Sequence, residues 1–67
     1  MPGGKSSVDK LSKDIKACKK GDTVCIQAAE DSFVADGGTM VPVDETGKVF
    51  TDPNGGKVFV TPSGKVF

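Results

Sequence analysis

The chain has 67 residues, a length that allows one small domain with a limited apolar core. Nine lysines and nine acidic residues cancel to a formal net charge of zero, and the sequence contains no Arg, His, Tyr or Trp. This composition removes the usual general base, the commonest metal ligand and the arginine clamp, and it disfavours general nucleic-acid binding.

Residues 1–6 are rich in Gly and Ser and are predicted to form a flexible tail, followed by a single domain at residues 7–67. The sequence shows no apolar run typical of a signal peptide or a membrane span. We therefore expect no membrane partner, and the localisation stays open.

A helical hairpin is predicted at residues 7–35. Ser6 and Asp9 fit a capping box, and a first helix over about residues 7–20 is indicated by apolar residues at helical spacing, namely Val8, Leu11, Ile15 and Cys18. Gly21 is typical of a helix end, and Asp22 or Thr23 can cap a second helix that ends near residues 36–38. A single long helix through Gly21 is the competing interpretation.

The remaining residues, 39–67, predict an antiparallel β-meander of three or four short strands. Residues 39–43 favour a strand that Pro42 restricts to a sheet edge. Gly-Lys-Val-Phe then occurs three times, and turn-forming residues precede each copy at 44–47, 52–56 and 62–64. The predicted fold class is α+β, with an N-terminal αα-hairpin packed on the meander.

Cys18 and Cys25 lie at the predicted corner between the helices. On one continuous helix they would be ~10.5 Å apart, too far for a disulfide, whereas an antiparallel hairpin can bring them together. Two buried reduced thiols and a redox-active pair are the alternatives. A disulfide would indicate a secreted protein.

The corner sequence Ala-Cys-Lys-Lys-Gly-Asp-Thr-Val-Cys, at residues 17–25, resembles the cysteine-bearing helix corners of Sel1-like repeat proteins. It is also similar to segments that precede the toxic tips of bacterial contact-dependent toxins. The resemblance covers nine residues and implies a bacterial, toxin-associated context. It brings no functional side chain with it.

Two short motifs suggest ligand sites, and both have simpler explanations. Gly4-Lys5-Ser6 lacks the upstream strand and glycine of a phosphate-binding loop. Asp52-x-Asn54-Gly55 lacks the carboxylate that closes a calcium loop, and a β-turn explains it better. We therefore expect no metal, no cofactor, no small-molecule substrate and no catalytic residues, and the chain is not predicted to be an enzyme.

Adjacent Val and Phe residues in the repeats must point to opposite faces of the sheet, and only one face can cover the helices. The sequence therefore predicts a small protein-interaction module that binds a partner protein or itself, with contacts at Phe50, Phe59, Val60 and Phe67. One alternative is a piece of a larger bacterial toxin or enzyme, suggested by the apolar end at Phe67. The other is weak single-stranded nucleic-acid binding, with Phe rings stacked on bases and Lys beside the backbone.

Overall fold

The structure, a computed structural model, describes residues 7–67, and the predicted flexible tail at residues 1–6 lies outside the described residues. Two helices precede a three-stranded antiparallel sheet of order β1-β2-β3. This arrangement confirms the predicted α+β fold with an N-terminal helical hairpin. The elements are α1 (Val8–Ala17), α2 (Thr23–Ala35), β1 (Thr39–Asp44), β2 (Gly47–Thr51) and β3 (Lys57–Val60).

Helix α1 begins one residue later than the capping box suggested. Ser7 is the N-cap, and its hydroxyl accepts a hydrogen bond from the Lys10 N–H at 3.1 Å; Ser6 lies outside the described residues. The helix ends at Ala17, three residues before the predicted end. Cys18 already has extended backbone angles (φ −76°, ψ 150°), because the chain must leave the helix there to turn the corner.

The two cysteines meet at this corner. Their Sγ atoms lie at disulfide distance and their Cα atoms are 5.7 Å apart. Cys25 lies in the first turn of α2, where its N–H donates to the carboxylate of the N-cap residue Asp22 at 3.0 Å. The cap and the cysteine pair together fix the start of α2 against the end of α1.

Helix α2 ends in a Schellman motif, in which the Gly37 N–H donates to the Val34 carbonyl and the Gly38 N–H to the Phe33 carbonyl. A Cβ atom on Gly38 would lie 2.2 Å from Cε2 of Phe33, so the ring of Phe33 occupies the space a side chain would need. The apolar face of α2 is narrower than its composition suggested, because Val24 and Val34 are exposed.

The core lies between the helices and one face of the sheet. Its buried side chains are Leu11, Ile15, Ile26, Phe33, Phe50 and Val60. Phe33 of α2 meets Phe50 of β2 edge-to-face, with ring centroids 5.6 Å apart. Both helices therefore cover the same face of the sheet, the face on which Phe50 lies.

Two turns of the meander share one geometry. In the turn at residues 52–56 the N–H of Asp52 donates to the carbonyl of Gly56, and the N–H of Gly55 donates back to the carbonyl of Asp52. The turn at 61–65 repeats these bonds nine residues later. Gly55 and Gly64 occupy equivalent positions with φ of +93° and +95°, which a glycine adopts without strain. Each turn is a three-residue hairpin loop, x-Pro-x-Gly-x in sequence.

The carboxylate of Asp52 connects the sheet to the helices. Its Oδ2 accepts the Val8 N–H at 3.0 Å, and its Oδ1 accepts the N–H groups of Asn54 at 3.0 Å and Gly56 at 2.7 Å. Val8 is the first residue of α1, so the negative charge also lies at the favourable end of the helix dipole. These hydrogen bonds, led by that of Val8, hold the pKa of Asp52 below its ordinary value of 3.8.

If the cysteines are bonded, the denatured but unreduced protein has no thiol that reacts with Ellman's reagent, and it has two after reduction. A Cys18→Ser/Cys25→Ser variant should lose about 2.4 kcal/mol of unfolding free energy, because a loop of this length (sequence separation 7) is released in the denatured chain. Val24→Ser, at an exposed neighbouring position, is the control. Two reactive thiols before reduction would instead mean that Cys18 and Cys25 are two reduced thiols and form no disulfide.

Asp52→Asn should make the free energy of unfolding depend less strongly on pH in the acid range. Because the pKa of Asp52 is lowered on folding, the stability this carboxylate contributes is present above pH 3.8 and is lost as the pH falls through its lower folded-state pKa. We expect the variant to be less stable than the wild type at pH 7 and the difference to shrink on acidification. Urea unfolding between pH 2 and pH 7 measures this. Asp36→Asn, at an exposed position, is the control.

Candidate interaction surface

The strand register decides which side chains lie on the sheet face opposite the helices, which we call the outer face. Directly paired residues point to the same face. Met40 pairs with Phe50, and Phe50 with Val58, so this row lies on the helix face with the buried Phe50. The next row therefore lies on the outer face, and it joins Val41, Val49 and Phe59.

The last residues of the chain extend this row. The N–H of Phe59 donates to the carbonyl of Phe67 at 3.1 Å, and the N–H of Phe67 donates back at 2.9 Å. Val60 bridges to Val66 beside them, so residues 65–67 act as a short fourth strand. The rings of Phe59 and Phe67 lie side by side, with centroids 6.3 Å apart. An apolar row thus crosses the whole sheet, and we call it the outer row: Val41, Val49, Phe59 and Phe67.

The outer row is accessible at both ends. Val41 is 57% exposed and Phe67 is 74% exposed, while Val49 and Phe59 between them are half-buried. The ring of Phe59 is held against the backbone of Gly47, where a Cβ atom would lie 2.5 Å from Cζ of the ring. A glycine on one strand leaves room for an aromatic ring of the neighbouring strand to lie against the sheet, which fixes the position of that ring. The row is therefore an ordered surface feature.

Polar residues flank the outer row on both sides. One flank contains Thr39, Thr51 and Lys57, which pair with one another across the strands. The other contains Asp44 paired with Gly47, and Thr61 paired with Lys65, with the exposed Val43 beside Asp44. Both lysines are exposed, and each alternates with a Val that packs against the core. The described residues at these flanking positions include two ammonium groups, those of Lys57 and Lys65, and one carboxylate, that of Asp44, which accepts the N–H of Thr46 at 2.7 Å.

The structure separates the four predicted contact residues into two pairs. Phe59 and Phe67 lie on the outer face, as a contact surface requires. Phe50 and Val60 do not, because each is only 1% exposed and belongs to the core. The structure contradicts the prediction for these two residues: they face the core below α1 and α2, whereas Val41 and Val49 lie on the outer face.

A separate cleft lies between α2 and the strand ends on the helix side of the sheet. It encloses about 340 Å³, and Glu30 reaches into it from α2. Glu30 is only 7% exposed, and its Oε1 is 3.8 Å from Nζ of Lys48 on β2. Burial raises the pKa of Glu30 above its ordinary value of 4.5, and the nearby Lys48 offsets this only in part. The ion pair joins helix to sheet.

Residues 7–67 contain no group of three His, Cys, Asp or Glu side chains that could hold a metal ion. The oxygens of Asp52 that the calcium-loop interpretation would use accept backbone N–H groups instead. Neither helix in this part of the chain is long and apolar enough to cross a membrane.

No protein family, curated protein or solved structure matches the chain.

Glu30→Gln should stabilise the protein at neutral pH. A raised folded-state pKa means that ionised Glu30 opposes folding, so the wild type loses stability as the pH rises from 4.5 through that pKa. Gln carries no charge and avoids this loss. We expect the variant and the wild type to be similar at pH 4 and the variant to be more stable at pH 7, as measured by urea unfolding. Glu45→Gln, at an exposed position lining the same cleft, is the control. A variant destabilised at pH 7 would mean that the pairing with Lys48 outweighs burial.

Proposed function

We propose that this protein is a small, non-enzymatic protein-interaction module that binds a partner protein, or a second copy of itself, through the outer face of its β-meander. The outer row carries this proposal. It is a continuous apolar row across four strands, and both helices pack on the opposite face of the sheet. Exposed apolar surface of this kind, rimmed by polar residues, is typical of interaction sites.

The free edge of β1 is a weaker candidate than the outer face. The hydrogen bonds of the turn at 52–56 direct the backbone groups of Lys48 and Phe50 toward β3 and those of Val49 toward β1. On β1, Val41 therefore faces β2, whereas Pro42 faces the free edge. Pro has no N–H to donate, so a strand added here would lack a hydrogen bond. Docking on the face avoids this loss.

The cysteine pair fits a module that works in an oxidising compartment. A chain of this size has little apolar core, and disulfides are a common means of stabilising small secreted domains. A secreted location is part of the proposal, as is the bacterial and toxin-associated context that the corner sequence suggested.

Single-stranded nucleic acid is a second candidate, because the outer face brings Phe59 and Phe67 together with Lys57 and Lys65. Exposed aromatic rings beside lysines are the elements of a base-stacking surface. Its support is weaker, since half of the outer row is aliphatic and Val side chains do not stack on bases. Binding of this kind would weaken steeply as salt is raised.

Phe67→Ser tests the main proposal. Burial of a Phe side chain in an interface contributes about 1.5 to 3 kcal/mol, so we expect roughly 10- to 100-fold weaker binding or self-association. Sedimentation velocity over a concentration range measures self-association. Quantitative affinity capture on the wild type and the variant identifies partners that depend on Phe67.

Val24→Ser is the matched control, because Val24 is also apolar, is 79% exposed and lies on α2, outside the sheet. Thermal unfolding should show both variants folded, with changes within about 1 kcal/mol since both side chains are exposed. A protein that is monomeric at all concentrations, and that retains the same partners in both variants, would contradict the proposal.

A further inference from the structure

The direction of the outer row limits what can cover it. Each strand contributes one member, so the apolar residues follow one another across the strands and not along any of them. Along β2, for example, Val49 lies between Gly47 and Thr51 on this face. With neighbouring strands about 4.8 Å apart, four members span about 14 Å. A partner that uses the whole row must run across the strands.

An α-helix has the right dimensions for this path. Its residues rise 1.5 Å each, so about 14 Å corresponds to roughly ten residues, or nearly three turns. An amphipathic helix presents apolar side chains in one stripe, about one per 5.4 Å turn, close to the spacing of the row. An extended segment laid along β3 would meet the apolar Phe59 alone, between the polar Lys57 and Thr61.

The charges beside the row indicate which charge the side chains of this helix should carry. Lys57 lies on one flank and Lys65 on the other, and neither is ion-paired within residues 7–67. Beyond Lys65 the positive charge continues, because three lysines of the helical corner line a 230 Å³ cavity with it: Lys16, Lys19 and Lys20. Asp44 and Glu45 line the cleft beside α2, and the carboxylate of Asp44, the one carboxylate on a flank of the row, accepts the N–H of Thr46. A helix with carboxylates on both flanks would complement this surface.

The same features disfavour a second copy of the chain as the occupant. Two outer faces in contact would bring together four flanking lysines and only the two Asp44 carboxylates. The face measures roughly 300 Å² on strand and residue spacings, well below the area that a stable dimer buries on each side. An acidic helix gains charge attraction on the same small area, which suits a weak, transient complex.

We propose that the outer row receives an acidic amphipathic helix of a partner protein, lying across the strands for about three turns, with its apolar stripe on the row and its carboxylates toward Lys57 and Lys65. This inference rests on the proposed function, whose surface it shares, and it specifies the partner's chemistry.

Three synthetic 14-residue peptides with the same Leu stripe test it: one flanked by Glu, one flanked by Lys, and the Glu peptide with a central Pro that breaks the helix. We expect the acidic helix to bind with a dissociation constant on the order of 100 μM, as small interfaces do, and the other two at least about tenfold more weakly. Amide chemical shifts in a two-dimensional NMR titration report both the affinity and the surface used. The shifts should centre on the outer row.

Reversing the charges of the two flanking lysines gives the most specific test of the inference. Lys57→Glu/Lys65→Glu should reverse the preference, so that the Lys peptide binds at least about tenfold more tightly than the Glu peptide. Lys10→Glu on α1, away from the sheet, is the matched control and should leave the preference unchanged. An oligo-dT strand and the protein alone, in the same titration, test nucleic acid and self-association as occupants.

The outcomes separate this inference from the function on which it rests. If the Lys or Pro peptide binds as well as the acidic helix and Phe67→Ser still weakens binding, the outer face is an interaction surface but the acidic helix is wrong. Tighter binding of oligo-dT, or dimerisation that blocks the peptide, also overturns the inference. If Phe67→Ser leaves binding of every probe unchanged, or the shifts centre elsewhere, both proposals fail.

Discussion

The hydrogen bond from the Val8 N–H to the Asp52 carboxylate is the contact on which the placement of the helices relative to the sheet depends. It joins residues 44 positions apart, the start of the first helix and the turn between β2 and β3. The same carboxylate closes its own turn through Asn54 and Gly56. One side chain therefore sets the shape of a hairpin and attaches it to a helix end. Because this attachment is on one side of the sheet, both helices pack on that side. The opposite side of the sheet is left without a helix.

Much of the fold follows from local patterns in the sequence, and its details depend on contacts that are not local. Helical spacing, a glycine corner and repeated turn residues predicted the helical hairpin and the meander. The end of α1 could not be predicted from them, because Lys19 and Lys20 are good helix formers, and the chain leaves the helix before them where Cys18 approaches Cys25. Tertiary contact outweighed local propensity at this position.

The candidate surface was predicted only in part, for a reason that concerns register. Three copies of Gly-Lys-Val-Phe suggest equivalent roles for Phe50, Phe59 and Phe67, yet the first is buried and the other two lie outside. Pairing across each three-residue turn joins residues of equal parity, so odd-numbered residues share one face. A spacing of nine residues moves Phe to the other face, and a spacing of eight keeps it there. Had the loop lengths been assigned from x-Pro-x-Gly, the sequence would have predicted the surface.

The hairpin pairing also limits where such a chain can change in length. Surface loops are ordinarily where a protein tolerates insertions and deletions. A residue added or removed inside the turn at 61–65 leaves Thr61 paired with Lys65, and directly paired residues keep the same face. A residue inserted between Lys65 and Val66 instead shifts the register by one, directing Val66 to the outer face and Phe67 toward the core. The place of an insertion therefore decides whether the outer row survives, a constraint that substitution of single side chains would never reveal.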